Sequence, residues 1–116
     1  MRALEGEQVL MRIHIGESDR YEGQPLYRAL VEMFREQEIA GATVFKGIKG
    51  FGAHSLIHTD HLLRLSQDLP IGIEVVDSQE QLDRIMPLLD EMVQEGLVTM
   101  ERVKVVRYAA GNREGD

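Results

Sequence analysis

The chain has no cysteine and no tryptophan, only three prolines in 116 residues, and no apolar run longer than a strand. The missing cysteine excludes disulfides and thiolate metal sites, which fits a reducing compartment. The missing long apolar run excludes a transmembrane helix. The segment Met1-Arg2-Ala3-Leu4-Glu5-Gly6-Glu7 also lacks the apolar centre of a signal peptide, so a soluble cytoplasmic protein is expected. Positive charge is scarce too. A net charge of -7 argues against broad binding of nucleic acid or anionic membranes, while a local basic patch could still attract a small anion. What remains, 43% hydrophobic and 28% charged, suffices for one domain over residues 1–116 with a modest core.

Val9, Met11, Ile13 and Ile15 alternate with Leu10, Arg12 and His14, the period of a half-buried strand. A polar, turn-rich stretch from Gly16 to Gly23 follows, and Pro25 suits the first turn of a helix. Leu26, Leu30, Met33, Phe34 and Ile39 recur at helical spacing, with Gly41 placed to turn the chain into a second strand, Thr43-Val44-Phe45. Ile71, Ile73 and Val75 mark a third strand. Ser78 and Gln81 have the spacing of a capping box ahead of a stripe formed by Leu82, Ile85, Met86, Leu89 and Val93, closed by Gly96. Pro87 should kink or split that helix, since it cannot donate to the carbonyl of Asp83. A last strand is expected over Met100 to Tyr108, ahead of a polar tail at 109–116.

The order β-α-β-β-α-β predicts an α+β, ferredoxin-like sandwich: a four-stranded antiparallel sheet with two helices on one face. The other face should carry Arg12, His14, Glu74 and Lys104, either in open water or as an ion-paired subunit interface.

Function is sought in the excursion of about 47–69, since loops of this length in small domains are usually functional or disordered. Its start, Lys46-Gly47-Ile48-Lys49-Gly50-Phe51-Gly52, joins flexible backbone to two cations where a strand ends. Such a turn can aim consecutive N–H groups at an anion, although the same spacing serves a plain glycine hinge. It is neither a Walker loop nor a dinucleotide fingerprint. His54, His58 and His61 would share helical faces and so could hold a transition metal, or could simply be solvated; His14 reads as structural. Ser55 and Ser66 lack a nucleophile-elbow context and the carboxylates lie largely on solvent faces of helices, so no enzyme is expected. Leu62, Leu63, Leu65 and Leu69 could cover the core or dock to a partner.

Three stretches resemble the bacterial and archaeal family called domain of unknown function 190. They are Gly41 to Gly52; Ile57-His58-Thr59 with Leu65 to Pro70; and Ile15-Gly16-Glu17 with Gly23-Gln24-Pro25-Leu26-Tyr27. That family is similar to the PII nitrogen-regulatory proteins, trimers of ferredoxin-like subunits that bind adenine nucleotides between subunits and act on partners through a long loop. The resemblance implies a homotrimeric cytoplasmic sensor for a small anionic ligand, with an adenine nucleotide as the candidate cofactor and a membrane transporter as the candidate partner. Gly41, Ala42 and Thr43 match the Gly-Met-Thr segment that holds adenine and ribose, and Lys49, Gly50, Phe51 and Gly52 match the Lys-Gly-Phe-Gly at the loop base. The extra residue between Val44 and Gly50 implies a bulge at Gly47. The phosphate turn of PII proteins is here Glu95-Gly96-Leu97-Val98-Thr99-Met100-Glu101-Arg102, which keeps one glycine and a cation, Arg102, and so argues against a triphosphate. Ala53 stands in place of the glutamine used for metal and 2-oxoglutarate, so the resemblance does not extend to that ligand. Two readings from other classes compete: a divalent-metal binder using His54, His58 and His61, and a ligand-free adaptor.

Overall fold

A computed structural model of the protein describes residues 4–51 and 68–109. Four strands form one antiparallel sheet: β1 (Gly6–Gly16), β4 (Ala42–Lys46), β5 (Pro70–Asp77) and β6 (Leu97–Val105), in the order β4-β5-β1-β6. Helices α1 (Leu26–Glu36) and α2 (Gln79–Met92) cover one face. This is the ferredoxin-like sandwich that the element order predicts. Between β1 and α1 lies a small hairpin, β2 (Arg20–Tyr21) and β3 (Gln24–Pro25), in place of an irregular turn. Its two turn residues, Glu22 and Gly23, both have positive φ (48° and 82°), the backbone that a two-residue hairpin with right-handed twist requires.

The alternation read from sequence sets the core. Met11, Ile13, Ile73 and Val75 project from the central strands onto Leu30, Phe34, Leu82 and Ile85, all eight almost completely buried. Each such side chain contributes about 1.5–3 kcal/mol by leaving water. Asp77 occupies the next inward position of β5 and is fully buried. It accepts the Ala40 N–H at 2.9 Å and the Ser78 N–H at 2.7 Å, so one carboxylate ties the start of β4 to the start of α2. Ser78 in turn caps α2 by accepting the Gln81 N–H at 3.1 Å.

Several expectations are corrected. Helix α1 ends in a Schellman turn that does not use Gly41: Ile39 N–H donates to Phe34 O, Glu38 N–H donates to Arg35 O, and Glu38 itself takes the left-handed φ of 60°. The buried Ile39 beside Phe34 supplies the apolar contact that accompanies this motif. The helix expected across Pro87 is present, α2 running unbroken through it. Gly47 marks no bulge, because Ala42 to Lys46 pair one for one with Val75 to Ile71 and Gly47 N–H then donates to Pro70 O at 2.7 Å. Strand β6 starts at Leu97, three residues before Met100. Its register puts Lys104 opposite Glu7, hence on the helix side, while Glu101 pairs with Leu10 on the outer face.

Candidate functional site

The outer face of the sheet is organised by Arg12. Its Nε donates to Glu74 Oε2 at 2.9 Å and its Nη1 to Glu101 Oε1 at 2.8 Å, linking β5, β1 and β6 across the sheet. The bond to Glu74 first, then that to Glu101, holds the guanidinium pKa above its already high ordinary value. His14, read from sequence as structural, is exposed on this face. It lies over Gly72, where an added Cβ would come within 3.5 Å of the imidazole. Phe45 and Leu97, each about half exposed (52% and 55%), flank it from the two edge strands.

At this end of the sheet a cavity of about 890 Å³ opens between the ends of β1 and β4 and the starts of β5 and β6. That is within the usual range for small-molecule sites. Lys46, Gly47, Gly50 and Phe51 line it from the exit of β4, and Gly16, Ser18 and Asp19 from the turn after β1. The glycines serve close approach: a Cβ on Gly47 or Gly50 would sit 2.7 or 3.0 Å from Pro70 Cγ, and one on Gly16 would sit 2.8 Å from Asp68 Oδ1. Two acidic groups of the lining are engaged by backbone. Asp19 Oδ2 accepts the Gly16 N–H at 2.9 Å, and Asp68 Oδ1 accepts the Ser18 N–H at 3.2 Å. Lys46 Nζ lies 2.8 Å from Glu17 Oε2.

The sequence-predicted ligand residues fall into three groups. Gly50 and Phe51 line the cavity and Lys49 lies between them and Gly47 in the same exposed turn. Gly41, Ala42 and Thr43 lie at the opposite end of β4, level with Val75 and Glu74. Arg102 is on β6 opposite Val9, exposed, with Nη1 3.7 Å from Glu7 Oε1. From Val9 to Ile15, at about 3.3 Å per residue, Arg102 is roughly 20 Å along the sheet from the cavity of its own chain. Together with Lys104 it lines a separate cavity of about 410 Å³. Gly52 and the histidines His54, His58 and His61 lie outside the described residues. Among the described residues, no group of three or more His, Asp or Glu side chains is placed to hold a metal ion. Sequence reasoning missed Glu17 and Asp68, which meet Lys46 and the turn after β1 only through strand register, and Asp19, which accepts the Gly16 N–H within its own turn.

The model of domain of unknown function 190, described as Uncharacterized ACR, matches residues 8–105. The chain belongs to this family. The DUF190 chain is 37% identical over 90 residues to an UPF0166 protein from Methanocaldococcus jannaschii, covering 77% of this chain and 82% of that one. It is 35% identical over 97 residues to an UPF0166 protein from Aquifex aeolicus, covering 84% and 91%. Among solved structures, the DUF190 fold is similar to CPII, a nitrogen regulatory PII-like protein from Thiomonas intermedia bound to ADP, AMP and bicarbonate. The TM-score there is 0.62 at 12% identity, covering 85% of this chain and 94% of that one. It is also similar to a putative PII-like signaling protein from Thermus thermophilus, with a TM-score of 0.60 at 22% identity, covering 87% and 91%. The fold of this DUF190 member is therefore PII-like. Among its described residues no helix is long and apolar enough to cross a membrane.

Proposed function

We propose that the protein is a cytoplasmic PII-like sensor, a regulator and not an enzyme, which assembles as a homotrimer and binds an adenine mono- or diphosphate between subunits. Its output is the long excursion after β4, acting on a partner for which the family resemblance implies a membrane transporter. The observation that supports this reading is the position of two groups that the resemblance implies for the ligand. Gly41–Thr43 and Arg102 stand at nearly the same level of the sheet, but on its two opposite edges. About three strand spacings, or roughly 14 Å, separate them within one chain. An edge-to-edge contact between copies would bring the β6 edge of one to the β4 edge of the next and unite the cation with the Gly-Ala-Thr segment. A ring built this way closes on itself, as heterologous interfaces must if they are not to form filaments. The ADP and AMP bound to CPII support the choice of ligand. The reduced phosphate turn supports a short phosphate chain over ATP.

Sedimentation velocity and calorimetry with AMP, ADP and ATP test the proposal. The expected result is a trimer that binds AMP or ADP more tightly than ATP, with binding lost in Arg102→Gln. Mixing Arg102→Gln chains with Thr43→Val chains should restore a fraction of the sites, because some interfaces then pair two intact edges. A monomer at working concentration, or no gain on mixing, would overturn the intersubunit site.

A further inference from the structure

Among the described residues Lys46 is the cation that the cavity lining supplies, and its ammonium is already taken. Nζ lies 2.8 Å from Glu17 Oε2. Glu17 is held where it is by backbone, since its own N–H donates to Leu69 O at 2.8 Å beside the start of β5. Its other carboxylate oxygen, Oε1, is buried and has no hydrogen-bond partner among the described residues. A carboxylate oxygen out of water and without a donor is unfavourably placed. Lys46 is thus the charged partner that keeps Glu17 in this position. Of the carboxylates at this turn, Asp19 and Asp68 accept backbone N–H groups from Gly16 and Ser18, while Glu17 is the one paired with Lys46.

The geometry points to a charge latch: with the adenine at Gly41–Thr43, the phosphates of the ligand need extend only about 10 Å along β4 to reach Lys46, three residues on, where Glu17 is their internal competitor and binding requires Lys46 to exchange one for the other. This rests on the nucleotide reading above and adds its regulation. Lys46 is the last residue of β4, where the chain leaves the sheet, and Glu17 opens the turn after β1. Exchange therefore frees the root of the excursion from the β1 turn and lets both oxygens of Glu17 reach water. By linkage, whatever holds the root closed weakens the ligand by the same factor that the ligand loosens the root.

The test compares wild type, Glu17→Gln, Lys46→Gln and the double variant as full chains. Amine acetylation followed by peptide mass spectrometry reads the latch without ligand. Lys46 should react more slowly than the exposed Lys49 in wild type and at the Lys49 rate in Glu17→Gln. Calorimetry with ADP should show Glu17→Gln binding roughly two- to fivefold tighter than wild type, the range that a part-exposed ion pair supplies. Lys46→Gln should bind more weakly, and adding Glu17→Gln to it should change nothing. Wild-type binding with no gain in Glu17→Gln, or equal acetylation of Lys46 and Lys49 in wild type, overturns the latch alone. Failure of both wild type and Glu17→Gln to bind ADP or AMP overturns the nucleotide reading, and the competition with it.

Discussion

Two glycines separate structural need from ligand access. Gly96 sits at the junction of α2 and β6 with φ 155°, and an added Cβ would lie 2.8 Å from the His14 carbonyl oxygen and 3.1 Å from Ile15 Cγ2 and Val93 Cγ1. Backbone blocks that space, so Gly96→Ala should destabilise the fold by about 1–3 kcal/mol in urea unfolding. Gly41 has open space around its Cα and no positive φ, so Gly41→Ala should leave stability within about 0.5 kcal/mol of wild type. Any loss of nucleotide binding in Gly41→Ala would then report on the ligand and not on folding. Tyr21 supplies a titration. Burial first, then the carboxylates of Glu22 and Glu91, push its phenol above the ordinary value of 10.0. A raised pKa favours the neutral form in the folded state, so this contribution is complete below pH 10.0 and is lost as pH rises through the raised value. Thermal unfolding should therefore fall on the alkaline side, and Tyr21→Phe should flatten that limb.

Among the elements, α2 holds the clearest unfavourable residue. Pro87 is exposed in the interior of the helix and removes one i→i−4 bond without packing in return. Pro87→Ala should raise the urea midpoint, by about 1–3 kcal/mol of stability, because the missing N–H and the ring clash both disappear. The elements most legible in sequence are those buried on one face. Val9 to Ile15 and Ile71 to Val75 alternate because β1 and β5 are the central strands, and Leu82, Ile85 and Leu89 recur because α2 lies flat on them. Strand β6 was three residues harder to place because it is an edge. Thr99, Met100 and Glu101 are all exposed, so no alternation marks its start. The β2–β3 hairpin is hidden for another reason: its Glu-Gly turn lacks the Asn-Gly or Asp-Gly signal, and two-residue strands have no period. At the site, the glycines of the β4 exit were legible as backbone that must come close to something. That Gly47 and Gly50 approach Pro70 was not, because register alone brings β5 beside them. The Glu17–Lys46 pair was hidden likewise, being set by where two strands happen to end.

At the scale of the whole molecule, the outer sheet face and the two sheet edges are the surfaces that a self-assembling protein would use. The outer face combines the Arg12 ion network with half-exposed Phe45 and Leu97, a mixture of charge and apolar area that a second copy can match. Among the described residues, the edges β4 and β6 have no further strand beside them, a backbone that isolated proteins ordinarily protect. Lys46 pairs with Ile71, and Gly47 N–H donates to Pro70 O, so the chain leaves and re-enters the sheet at neighbouring points of one antiparallel ladder. Closing a chain between fixed neighbouring points costs little more as it lengthens, about 0.6 kcal/mol per doubling. Replacing 52–67 with a short Gly-Ser connector should therefore keep the sheet intact, with thermal stability equal to or above that of wild type. In evolutionary terms the excursion is a cassette: its sequence can be exchanged while the sheet beneath it is inherited unchanged.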